Sequence, residues 1–116
     1  MRPFLPAFAA MLAATPSFAG EIVIPLGEDV EVETTETIYD CSGREVAVTY
    51  INAGDISLAM FEIDGKMVVA SNVFSVSGAQ YAGGRYVWWT KGDTADLHDL
   101  TLGRVGTLTQ SCVARG

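Results

Sequence analysis

Positive charge is scarce in this sequence. Seven Lys and Arg stand against fourteen Asp and Glu in 116 residues, for a formal net charge of −7. Phosphate recognition needs clustered cations, so nucleic acid is excluded as a partner. Histidine is scarcer still, with His98 alone. A nucleophile–base pair or a histidine-rich metal site has almost nothing to draw on. There is no G-x-S-x-G elbow, no P-loop and no dinucleotide fingerprint. Neither an enzyme nor a cofactor is expected. Long apolar runs are missing too. The longest nearly continuous one, residues 4–14, has 11 residues, where a membrane-spanning helix needs about 20.

Residues 1–19 have the order of a secretory signal peptide. Arg2 supplies a positive charge, an apolar run follows, and Ser17 and Ala19 place small residues before a cleavage point after Ala19. Pro3, Pro6 and Pro16 disfavour a stable spanning helix. No cysteine lies near the cleavage point to carry a lipid. The expectation is a soluble periplasmic protein with no membrane anchor. Cleavage removes Arg2 and no acid, so 97 residues remain and the net charge goes from −7 to −8. That length makes one domain. An acidic body of this kind attracts a cationic partner through a salt-sensitive, steered encounter.

Only Cys41 and Cys112 are present. An even count in an exported chain predicts a disulfide, and two cysteines allow a single intramolecular connectivity.

Residues 20–36 read as an acidic, extended and largely mobile lead-in, with Glu28, Asp29, Glu31, Glu33 and Glu36 close together. Ile22, Val23 and Ile24 could form a short strand within it. The domain proper is read as 37–116. Residues 45–51 alternate, with Val46, Val48 and Tyr50 on one side and Ala47, Thr49 and Ile51 on the other. The stretch 52–55 is turn material. Residues 56–63 and 66–70 are strands joined by Asp64-Gly65, a two-residue hairpin signal. Residues 73–76 are expected as another short strand, and 77–79 as a turn or loop. Strand signals return over 85–91, 95–100 and 105–112, with Gly103 and Gly106 marking a break. About eight short strands and no 3.6-residue periodicity predict an all-β fold, a small antiparallel barrel or sandwich.

Chemistry-bearing groups are few. His98 sits in a strand-like run and reads as a surface or packing residue. Asp93, Asp96 and Asp99 could suggest paired carboxylates. The odd spacing of Asp96 and Asp99 puts them on opposite faces of a strand, so the three read as a solvated acidic edge. The segment SGAQYAGGRYVWWTKG, residues 77–92, is the most distinctive. Adjacent Trp88 and Trp89 must face opposite sides of a strand, one entering the core and the other packing outside or near a loop. Val87, Trp89 and Lys91 share a face.

Cys41-Ser42-Gly43, the strand VAVTYINAG, SLAMFEIDGK, SGAQYAGGRYVWWTKG and the final cysteine together resemble the inhibitor family of C-type lysozymes, the membrane-bound and periplasmic inhibitors. The resemblance covers roughly residues 39–112. It implies a small eight-stranded antiparallel β-barrel with one disulfide, Cys41 to Cys112. It also implies that a loop bearing Ser77, together with Lys91, enters the cleft of a C-type lysozyme, with Gly78 and Tyr81 shaping or supporting that loop. The absent lipid-attachment cysteine fits the soluble branch. The alternative is an envelope protein binding carbohydrate or another protein through the same barrel. Sequence does not decide between a monomer and a homodimer.

Overall fold

The computed structural model describes residues 20–103 and 108–115. The expected signal segment 1–19 and the break at Gly106 lie outside them. Eight strands run in chain order: β1 Val32–Cys41, β2 Arg44–Ala53, β3 Ile56–Ile63, β4 Lys66–Val73, β5 Ala79–Gly83, β6 Tyr86–Lys91, β7 Thr94–Asp99 and β8 Leu108–Ala114. Each pairs antiparallel with its neighbour, and β8 returns to β1 to close an eight-stranded barrel. Closure removes the free sheet edges that promote aggregation. Cys41 and Cys112 form the expected disulfide beside that seam.

Local chemistry explains the turns. Asp64 and Gly65 both take positive φ (52° and 79°), so Ile63 faces Lys66 across a two-residue hairpin. Ser42 and Gly43 do the same between β1 and β2.

Alternation along β2 holds as expected. Val46 and Val48 are buried inside the barrel while Ala47 is exposed. Trp88 is the largest fully buried side chain, at 0 % exposure. Its ring lies 5.0 Å from Tyr39 and 5.4 Å from Phe61, and its Nε1–H donates to the Tyr50 hydroxyl at 2.8 Å. Tyr50 and Tyr39 share a further hydrogen bond of 2.7 Å. Buried polar atoms are thus satisfied by one another, and burial pushes the Tyr50 and Tyr39 hydroxyls above their ordinary pKa.

Several sequence expectations are corrected. β1 begins at Val32, five residues before Thr37, because Thr34, Thr35 and Val32 are β-branched and continue the ladder with β2 down to Ala53. Residues 22–24 are not a strand. Instead Ile22, Ile24 and Leu26 face Val32, Ile51, Ala53, Ile56 and Leu58 around a groove of about 260 Å³. The strand expected at 73–76 does not form. β4 stops at Val73, and the next strand is Ala79–Gly83, which the sequence had not marked. Gly83 is needed there, since a Cβ would meet the Val69 carbonyl oxygen at 2.3 Å.

Candidate functional site

The β4–β5 connection, residues 74–78, lies at one end of the barrel beside the end of β6. Ala79 faces Thr90 in the β5–β6 ladder, so Ser77 and Gly78 arrive next to Thr90 and Lys91. The approach is close. A Cβ on Gly78 would lie 2.3 Å from the Thr90 carbonyl oxygen, 2.8 Å from Lys91 Cγ and 2.9 Å from Trp89 Nε1. Gly78 also takes φ +65°. Both facts require glycine.

Side chains then fix the loop. Trp89 faces outward, opposite to Trp88, and its Nε1–H donates to the Ser77 carbonyl at 2.9 Å. The Ser75 hydroxyl donates to the same carbonyl at 2.6 Å. Gln80 Nε2 donates to Ser75 Oγ at 3.2 Å, and Asn72 Nδ2 to the Gln80 carbonyl at 3.2 Å. Lys91, two residues beyond Trp89 on the same face, places Nζ 4.2 Å from the Trp89 ring centroid. That is within reach of a cation–π contact. Ser77, Gly78 and Lys91 are all exposed.

Two described cations, Lys66 at the β3–β4 turn and Lys91 at the end of β6, stand outside the ion pairs. Arg44 pairs with Asp64, Arg85 with Asp99 and Arg115 with Glu45. Lys91 enters no ion pair among the described residues. A molecule of net charge −7 therefore presents, at this end, a cation with no carboxylate in ion-pair contact among the described residues.

Ser77, Gly78 and Lys91 come together at this end of the barrel. Tyr81 does not join them at the surface. It faces Trp88 in the ladder, is half-buried, and lies 5.7 Å from the Tyr50 ring against the core. Burial raises its hydroxyl pKa. Tyr81 braces β5 from within.

His98 is a packing residue, 4 % exposed, with its ring 6.2 Å from that of Trp89. Asp96 and Asp99 face opposite sides of β7, but the expectation of a solvated edge fails at Asp99, which is 5 % exposed. Its Oδ2 accepts from Arg85 Nε and Nη2 at 3.0 and 2.5 Å, and its Oδ1 from the Thr101 amide and hydroxyl at 3.0 and 2.6 Å. Arg85 first, then Thr101, holds this carboxyl down to about 2. A buried carboxylate needs such partners, and neither partner was visible as such in sequence. Among the described residues, no three His, Cys, Asp or Glu side chains are grouped to hold a metal ion.

Sequence reasoning missed the pinning role of Trp89, the inward hydrogen bonds of Ser75, and the outward display of Phe74 and Val76. The apolar residues of V-F-S-V, 73–76, were the available signal, and the segment was read as a strand.

Comparison with known proteins bears on the same segment. Residues 39–103 match the family described as MliC, membrane-bound lysozyme-inhibitor of c-type lysozyme. A Pseudomonas aeruginosa protein named membrane-bound lysozyme inhibitor of C-type lysozyme is 46 % identical over 94 residues, covering 79 % of this chain and 74 % of the relative. A Cupriavidus necator protein of the same name is 52 % identical over 63 residues, 53 % of this chain and 50 % of that one. The crystal structure of P. aeruginosa MliC in complex with hen egg white lysozyme superposes with a TM-score of 0.70 at 39 % identity, covering 85 % of this chain and all of that one.

Proposed function

The chain belongs to the MliC family of membrane-bound inhibitors of c-type lysozyme, and on that premise we propose that it inhibits a C-type lysozyme by seating Ser77 and Lys91 in the active-site cleft. The observation that carries this reading is the Lys91 ammonium, exposed, outside any described ion pair, and held over Trp89 beside the Gly78 backbone.

The chemistry follows from the target. A C-type lysozyme works with two carboxyl groups, one kept protonated by an apolar setting and the other ionised. A blocker should offer a cation to the ionised group and a hydrogen-bonding hydroxyl to its neighbour. Lys91 brings a compact charge with three donors. Ser77 brings a hydroxyl that donates and accepts. With water excluded, charge-assisted bonds strengthen, and the groups needed for proton transfer are occupied. Gly78 lets the loop lie flush against β6, and Tyr81 supports the strand that follows. The acidic surface steers a basic lysozyme toward contact.

Calorimetric titration of the chain from Gly20 onward into a C-type lysozyme tests this directly. The expected result is one-to-one binding that weakens as salt rises. Binding of peptidoglycan fragments, with none of lysozyme, would replace this reading by carbohydrate recognition. The same reading has the protein acting from the periplasm in soluble form, although its relatives are named membrane-bound. Release by osmotic shock with Gly20 as the first residue is expected. Retention in the membrane fraction until detergent is added would contradict it.

A further inference from the structure

Phe74 and Val76 are the two most exposed large apolar side chains among the described residues, at 90 % and 93 %. They flank Ser75, whose hydroxyl is tied inward to the Ser77 carbonyl and to Gln80. Apolar groups left this far in water contribute almost nothing to folding, and paired on one loop they mark a contact surface. That loop is the one that carries Ser77.

We infer that Phe74 and Val76 form the apolar half of the lysozyme-binding surface, packing on the non-polar wall that surrounds the enzyme's protonated catalytic carboxyl. The inference rests on the inhibitory reading above. One observation and two general arguments point to that one partner. Phe74 and Val76 precede Ser77 by three residues and one, so whatever receives Ser77 must also meet them. A lysozyme-type acid is kept protonated by apolar surroundings, so the pocket that a Ser–Lys pair would enter has non-polar walls to offer. Energetic centres of protein interfaces combine a desolvated apolar anchor with a few polar contacts, and Ser77 and Lys91 alone would supply only the polar part.

Preorganisation strengthens the case. The loop is already held by bonds from Trp89, Ser75 and Gln80. These bonds reduce the freedom the loop has to lose on binding, so more of the area buried by Phe74 and Val76 is retained as affinity.

The test is a binding titration against a C-type lysozyme at low and high ionic strength. It uses the unaltered chain, Phe74→Ser with Val76→Ser together, Phe74→Leu alone, and Lys91→Ala. The double change is expected to weaken binding by about tenfold or more at both salt levels, since burial of apolar area is not screened. Phe74→Leu should retain most of the affinity, and the melting temperature of the double variant should match that of the unaltered chain. If the double variant binds within about twofold of the unaltered chain while Lys91→Ala is impaired, the apolar anchor is overturned and the inhibitory reading stands. If the unaltered chain does not bind lysozyme at all, both are overturned.

Discussion

The indole nitrogen of Trp89 donates to the backbone carbonyl of Ser77 at 2.9 Å, across a separation of 12 residues. The same ring lies beneath the Lys91 ammonium. One outward-facing tryptophan therefore contacts both groups proposed to enter the cleft, while its neighbour Trp88 anchors the barrel core. The adjacent pair divides its labour between folding and display.

Replacing Trp89 with Phe separates the two roles of that ring. Trp89→Phe keeps an aromatic face under Lys91 and deletes the donor to Ser77. The Ser75 hydroxyl still serves the carbonyl, so the loss should be one net hydrogen bond, about 1 kcal/mol. The melting temperature should fall by about 4–8 °C, and lysozyme affinity by up to roughly fivefold, as the loop is then ordered only on binding. An unchanged dissociation constant would show that the loop needs no such pin.

Gly78→Ala should be more damaging. Its added carbon would sit 2.3 Å from the Thr90 carbonyl oxygen, a backbone atom that cannot swing away, at a φ of +65°. The loop must lift off β6, carrying Ser77 with it. Inhibition should weaken by about tenfold or more, and the barrel should lose roughly 1–3 kcal/mol of stability in urea titrations. Full inhibition at normal stability would contradict the close approach.

Much of this arrangement was legible in the sequence, and the failures have identifiable causes. Asp64-Gly65 announced its hairpin because few other pairs adopt positive φ together. The β2 alternation showed which side chains enter the barrel. Residues 73–76 misled because V-F-S-V is rich in residues that favour strands. The Ser75 hydroxyl bonds to a carbonyl two residues on and closes a local turn, which competes with the ladder. Residues 79–83 were missed because Ala and Gly carry weak strand preference, and their small size matters only once β4 lies against them. Asp99 could not be read as buried because its partners, Arg85 and Thr101, are brought to it by the β5–β6 turn and the short helical turn Leu100–Leu102.

Acid should loosen the fold through that carboxylate. Asp99 is held at about 2, against 3.8 ordinarily, so the unfolded chain takes up this proton first as pH falls. The stabilisation is complete above about pH 5 and drains away toward pH 2. Asp99→Asn should be less stable than the unaltered chain at neutral pH and should show a flatter stability profile between about pH 4 and pH 2. Equal slopes in denaturant melts across that range would remove Asp99 from the acid response.

Lysis of a peptidoglycan suspension by a C-type lysozyme, with the purified oxidised chain from Gly20 titrated in beside Lys91→Ala and Ser77→Ala, tests the central claim most directly. The cleft-blocking account predicts stoichiometric loss of lysis with the unaltered protein. It also predicts at least tenfold weaker inhibition by Lys91→Ala, about 2 to 5 kcal/mol for truncating one partner of a buried ion pair, and a smaller loss for Ser77→Ala. Undiminished inhibition by folded Lys91→Ala would contradict it.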